Sequence, residues 1–245
     1  PHAGFYAAGL WIVQGFSAMC PSQTEWTGTQ AMMERLNNWL TGAIPIQSLV
    51  VTRILFGAIL TWDYWRYVKY ERIERYYVQT KVNFPYFGLD FIQPLPEPWI
   101  YYAWGLVGLS AAMIMLGAFY RLATILFIVS FGYFFLLDRT QYLNHNYMVL
   151  LYAALLAVSP ANRAWSVDAW LRPALRSVVI PRWPVVALKA QTEIILVYAG
   201  IVKINDDWLR GEPLRMWTRA RMDEILIAPI FQWEWVVMTV AVGVV

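Results

Sequence analysis

The run WIYYAWGLVGLSAAMIMLGAFYRLATILFIVSFGYFFLL, residues 99–137, decides the class of fold. It holds two apolar stretches, 99–116 and 122–137, separated only by the five residues GAFYR at 117–121. About 20 apolar residues carry a helix across the roughly 30 Å hydrocarbon core of a bilayer, and each stretch approaches that length. A connection this short forces the two helices into an antiparallel hairpin. The chain therefore reads as an all-α, polytopic helical membrane bundle.

Composition agrees. Fifty-nine per cent of the 245 residues are apolar, 14% are charged and mean hydropathy is +0.44. Soluble domains carry about 25% charged residues. The 14 Trp and 15 Tyr suit aromatic belts at the two interfaces. A net charge of +3, spread along the chain, leaves no nucleic-acid footprint. Cys20 is the only cysteine, so no intrachain disulfide and no cysteine-rich metal site can form.

Working outward from the hairpin, further spans are expected at 46–65, 147–158 and 187–204, five in all. Arg53 and Asp63 lie inside the first. Ionisable groups in a span face the bundle interior or an end, and snorkelling explains Arg53 as well as function does. Residues 63–77 read as an amphipathic continuation out of the membrane, and Pro85, Pro94, Pro96 and Pro98 rule out a regular helix in the loop 81–98. Residues 1–45 form a separate N-terminal segment, apolar at 3–19 and polar at 21–38. The chain opens without methionine and stops at Val245 within an apolar stretch beginning near Ile230. A truncated further span is expected there, the membrane domain being 46–245 and incomplete.

Counting crossings places the loop LDRTQYLNHNY (137–147), the proline-rich loop and the end of the fifth span on one membrane face, with the arginine-rich segment 161–184 on the other. Basic residues lie on both sides, so charge counting favours neither orientation. Lys203 stands at the last turn of the fifth span, in YAGIVKINDDWLRG (198–211). Its position alone favours an ammonium that snorkels to the interface and caps free carbonyls. Alternatively, partial burial disfavours the charged form and leaves an amine able to take a proton. His145, flanked by Asn144, Asn146 and Tyr147, is either a hydrogen-bonding structural residue or a proton carrier. One histidine near Asp138 makes no metal-ligand set, and no phosphate loop, SerXXLys pair or GlyXSerXGly elbow occurs. What remains on that face is a lysine, a histidine, amides and many aromatics, an environment suited to a flat, apolar, redox-active ring such as a quinone.

LLDRTQYLNHNYMVLLYAALLAVSPANRAWSVDAW (136–170) and AGIVKINDDWLRG (199–211) together resemble the vitamin K-dependent gamma-carboxylases and their bacterial relatives, grouped as the horizontally transferred transmembrane domain. LDFIQPLPEP (89–98) and the hairpin turn LGAFYR (116–121) extend the likeness over roughly residues 46–229. The resemblance implies a lyase that oxygenates reduced vitamin K, the hydroquinone, to its epoxide with O2 and uses the reaction to carboxylate glutamate side chains of a protein substrate with CO2. No metal is expected. It implies that Lys203 is the catalytic base and that His145 acts with it, Asn144, Tyr147 and Tyr198 lying against the quinone. Trp208, Asp138 and Arg139 are expected to be structural or interfacial. The family enzymes continue well beyond this length into a soluble β-rich region, and the disulfide of the animal enzymes has no counterpart here. A quinone oxygenase without carboxylation, or a non-catalytic membrane module, are the other classes in play.

Overall fold

The computed structural model of the chain describes residues 23–80 and 83–219. The expected apolar segment 3–19 and the truncated span after Ile230 lie outside the described residues. The main helices are α1 (Gln23–Thr41), α2 (Gln47–Lys69), α3 (Trp99–Leu116), α4 (Tyr120–Leu137) and α5 (Asn144–Val158). They are followed by α6 (Val167–Leu171), α7 (Trp183–Val202), α8 (Asp206–Leu209) and α9 (Glu212–Arg219). Strand is confined, among the described residues, to β1 (Ala43–Pro45) paired antiparallel with β2 (Val179–Pro181), with Ile44 opposite Ile180. The architecture is an all-α membrane bundle. Among the described residues three helices, α3, α4 and α7, are long and apolar enough to cross a bilayer.

Two expected spans differ from that standard. The helix expected at 46–65 is 23 residues long and continues to Lys69, but it carries Arg53, Asp63, Arg66 and Lys69. The span expected at 147–158 is α5, apolar but only 15 residues long. At 1.5 Å per residue α5 reaches about 22 Å, short of the roughly 30 Å core. The fifth expected span begins earlier than 187, because Pro184 sits in the first turn of α7, where a missing N–H costs nothing.

Arg53 is wholly buried, at 0% exposure. Its guanidinium donates to the carbonyls of Ile114 (3.1 Å) and Met115 (3.0 Å) at the C-terminus of α3, and to that of Trp165 (2.6 Å). A cation on the last carbonyls of a helix meets the negative end of its dipole. Gly57, one turn on in α2, lets the helices close up: a Cβ there would lie 2.5 Å from the Met115 backbone nitrogen. Farther along the same pair, a Cβ at Gly108 would lie 2.6 Å from the Tyr64 ring, so α2 and α3 run antiparallel.

Gly117 ends α3 in the left-handed region (φ 66°), with Gly117 N–H on Ile114 O and Ala118 N–H on Met113 O, a Schellman closure. A Cβ there would also strike the Arg53 guanidinium and Ser166. The next helix has no local capping side chain. Asp168, from α6, supplies it: its carboxylate accepts the backbone N–H groups of Phe119 (2.7 Å) and Tyr120 (3.0 Å) and the Asn162 amide (2.9 Å). Ser166 caps α6 in turn, accepting Ala169 N–H. One turn is thus held by a buried cation at the helix that ends and an anion at the helix that starts.

The Tyr120 hydroxyl donates to Leu156 O (2.6 Å), which sets the start of α4 against the end of α5. The Ser and Thr hydroxyls inside α3 and α4 bond back to their own helix, Ser110 to Leu106 O, Thr124 to Tyr120 O and Ser130 to Leu126 O. The β1–β2 pair and the Ile46 N–H bond to Val178 O join the start of α2 to the start of α7. One end of the bundle therefore holds the starts of α2, α4 and α7 and the ends of α3 and α5. The other holds the proline-rich loop, the start of α5 and the end of α7, as crossing counts require.

Two outcomes follow. Asp168→Ala should lower unfolding stability in detergent by about 2 kcal/mol, the upper end for a lost helix cap, and Asp168→Asn by less. An unchanged midpoint for Asp168→Ala would show that the cap is not made. Single cysteines replacing His145 and Lys203, in a Cys20→Ser background, should react with an impermeant thiol reagent from one and the same side of sealed vesicles. Labelling from opposite sides would contradict this arrangement of helices.

Candidate functional site

Asn205 shapes the end of α7. Its amide donates to Val202 O (3.0 Å), closing that helix, while its side-chain oxygen accepts Trp208 N–H (2.9 Å), opening α8. Lys203 falls at the bend between them, half-buried, with its ammonium 5.1 Å from the centroid of the Trp208 ring. Such a contact attracts the cation by about 0.5–2 kcal/mol. Asp206 and Asp207 occupy the first turn of α8 and are exposed. Tyr198, a turn or so before Lys203, is 68% exposed.

The second part of this end is built at the junction of α4 and α5. Asp138 is buried, 2% exposed, and its carboxylate accepts the Thr140 N–H (2.9 Å) and hydroxyl (2.8 Å), capping the short turn Arg139–Gln141. Arg139 is exposed, and its backbone N–H donates to Phe84 O (3.0 Å), docking the proline-rich loop onto this junction. The Tyr133 hydroxyl reinforces the docking, donating to Gln93 O and accepting Leu95 N–H, both at 2.9 Å. Asn144 and His145 open α5 and are exposed. Among the described residues the His145 side chain has no hydrogen-bond partner, and no three His, Cys, Asp or Glu side chains gather as a metal site.

Tyr147, 49% exposed, stacks on Phe135 at 6.4 Å, and Phe135 also meets Tyr86 (6.2 Å) and Tyr142 (5.6 Å). An aromatic wall thus stands beside Asn144 and His145. Within the docked loop the Tyr86 hydroxyl and the Asn83 side-chain oxygen are buried without a hydrogen-bond partner. Leaving such groups unpaired costs about 1–3 kcal/mol each, so they mark a place where a polar group is wanted. Burial pushes the Tyr86 phenol above its ordinary range, with Tyr142 and Asp138 adding to the effect, so it is a donor at neutral pH. Burial does the same for Tyr77, which packs edge-on to Phe134 (5.2 Å).

The two parts lie at the same end of the bundle. Helices α5 and α7 are antiparallel neighbours, and the hydroxyls of Tyr152 and Thr192 are in contact between them. From that contact His145 is seven residues back along α5 and Lys203 eleven on along α7. At 1.5 Å per residue their backbones sit about 10 and 16 Å toward the same end.

Sequence reasoning passed over two pairs of residues here. Asn83 and Tyr86 lie in a loop read only for its prolines; the cluster NFPYF at 83–87 was the available signal. Lys189 and Glu193, one helical turn apart, interrupt a span read as almost wholly apolar, and both are exposed on α7. Ionisable groups inside a span mark functional surfaces by default.

No solved structure matches the chain. The HTTM domain family model matches residues 41–245, from the last residue of α1 onward, and this domain is found in vitamin K-dependent carboxylase-like proteins. With its apolar helices and a match over most of its length, the chain is a membrane protein that belongs to the HTTM domain family.

Proposed function

We propose that the chain is the membrane domain of a multi-pass enzyme that oxygenates reduced vitamin K to its epoxide and uses that reaction to carboxylate glutamate side chains of a protein substrate. The observation that carries this reading is the single end of the bundle shared by Lys203, His145, Asn144 and the aromatic wall of Tyr86, Phe135, Tyr142 and Tyr147. Family membership supports the reaction class.

In this reading the bilayer delivers the hydroquinone laterally, and its ring lies against Tyr147 and the neighbouring aromatics. The hydroquinone, O2, CO2 and a glutamyl γ C–H become epoxide, water and γ-carboxyglutamate: the four electrons that reduce O2 to the epoxide oxygen and water all come from the quinol, and the γ C–H bond is exchanged for the new C–C bond. The Lys203 amine takes the first proton from the quinol hydroxyl. Asn144 and His145 orient the ring, and the Tyr86 hydroxyl and Asn83 oxygen offer the two hydrogen bonds they lack. Tyr198 borders the approach from α7, and Trp208 holds the Lys203 side chain when no substrate is bound.

A second reading, in which Lys203 is only an interfacial anchor, draws on the Trp208 contact, which favours the ammonium. The two are distinguished by rate. With intact full-length protein, Lys203→Ala should lower epoxide formation from reduced vitamin K by about 100- to 10,000-fold, the usual cost of a lost general base, and leave the protein folded in the membrane. Lys203→Arg should fail too, because a guanidinium stays protonated at any accessible pH. Wild-type epoxidation by both variants would leave Lys203 an anchor. Labelled bicarbonate entering a glutamyl peptide separates the carboxylase from an oxygenase that stops at the epoxide.

Tyr86→Phe provides an independent check. Losing one hydrogen bond to the substrate should raise KM for the hydroquinone about 3- to 10-fold while thermal stability holds or rises, since the deleted hydroxyl was unpaired. A lowered melting temperature with an unchanged KM would assign Tyr86 to packing alone.

A further inference from the structure

At the end of the bundle opposite Lys203, a cleft of about 420 Å³ opens between the start of α4 and the segment 160–175. This volume lies within the range of about 300–1,000 Å³ of small-molecule sites. Three arginines line it, Arg121, Arg163 and Arg172, and all three side chains are exposed. Among the described residues none of them has a carboxylate partner or a side-chain hydrogen bond. The cleft contains one carboxylate, Asp168, and it is already engaged by the Phe119 and Tyr120 N–H groups and the Asn162 amide. The lining therefore carries an excess of two positive charges, three arginines less one aspartate.

The rest of the lining is apolar. Phe119, Leu122 and Leu171 are 61%, 55% and 58% exposed beside the arginines. The Gly117 turn lies where two membrane-length helices end, so this cleft sits at headgroup depth, and exposed Trp165 and Trp170 stand near it as interfacial aromatics do. Forked guanidinium donors match phosphate oxygens, whereas exposed leucine and phenylalanine match acyl chains. A free phosphate would use only half of this lining.

We infer that the cleft binds the phosphate of an anionic phospholipid, with Arg121, Arg163 and Arg172 around the headgroup and Phe119, Leu122 and Leu171 against the first carbons of its chains. The bound lipid bridges α4 and the arginine-rich segment, the two elements that Asp168 already joins.

Binding should be measured on the purified full chain in detergent, with dioleoyl phosphatidylglycerol, dioleoyl phosphatidylcholine and inorganic phosphate as probes. Phosphatidylglycerol should bind in preference to phosphatidylcholine. The triple variant Arg121→Gln, Arg163→Gln, Arg172→Gln should bind phosphatidylglycerol on the order of 100-fold more weakly, at roughly fivefold per arginine near an anionic surface. Its melting temperature without lipid should match the wild type, because the three side chains are exposed. Should the triple variant not fold, Arg163→Gln and Arg172→Gln singly should each cost about fivefold. Equal binding of the two lipids by the wild type, or undiminished phosphatidylglycerol binding by the variants, would overturn the site. Displacement of phosphatidylglycerol by an equal concentration of inorganic phosphate would overturn the lipid and leave a soluble anion as its ligand.

Discussion

A guanidinium buried without a carboxylate is the constraint on which this bundle is arranged. Removing a cation from water costs several kcal/mol even after relaxation, so Arg53 is tolerable only where fixed dipoles replace the solvent. Its three carbonyl acceptors do that, two of them at the negative end of α3. The third, Trp165 O, belongs to a segment more than a hundred residues away in sequence. The two terminal nitrogens of Arg53 can therefore reach their acceptors only when α2, the α3 terminus and the 160s segment meet at one point. That meeting brings Asp168 to the exposed N–H groups of α4, and the close approach at Gly57 follows from the same geometry. The two charges do not neutralise each other directly. Each is matched to a helix terminus, cation to carbonyls and anion to N–H groups.

Rigidity at one end leaves function to the other. Around the Gly117 turn, backbone groups are closed by side chains from three elements. At the opposite end the helices are joined by a proline-rich loop, and its hold rests on a few contacts: Arg139 N–H on Phe84 O and the two bonds of the Tyr133 hydroxyl. A long loop held over a bundle mouth by few bonds is where substrate contacts usually reside. The orphaned Asn83 oxygen and Tyr86 hydroxyl fit that division, because polar groups left unpaired in a docked loop are those free to meet a ligand.

How much of this the sequence exposes depends on whether a feature is local. The hairpin at 99–137 was readable because hydropathy and a five-residue turn leave one topology, and the common end for Lys203 and His145 followed from counting crossings. In the sequence, snorkelling accounts for Arg53 at least as well as function does, because its partners are backbone carbonyls at 114, 115 and 165, which have no side-chain signature. Asp168 has no signature in the sequence, since a capping acid supplied from a distant segment does not show the local spacing of a cap. The length of α2 was visible but its four charges keep it from the apolar standard of α3, α4 and α7. Asn144, His145, Tyr147, Lys203 and Trp208 could be named from motif and position, but the stacking on Phe135 and the docking of the 83–98 loop could not, because both arise from packing between elements.

The contact between Lys203 and Trp208 sets the remaining condition on the chemistry. An ammonium over an indole face is held by about 0.5–2 kcal/mol, more as water is excluded. A lysine that accepts a proton must do so as the free amine, for which that attraction vanishes. The resting contact therefore has to be broken before the proposed chemistry begins. In the proposed reaction a flat apolar ring taken up at this end would compete for the indole face and exclude solvent. Asp206 and Asp207 work in the same direction by lying exposed in the first turn of α8, where the helix dipole favours carboxylates and water screens their charge from Lys203. Under the proposed function, the lysine that rests on Trp208 in the empty site would act as a base only once substrate is bound.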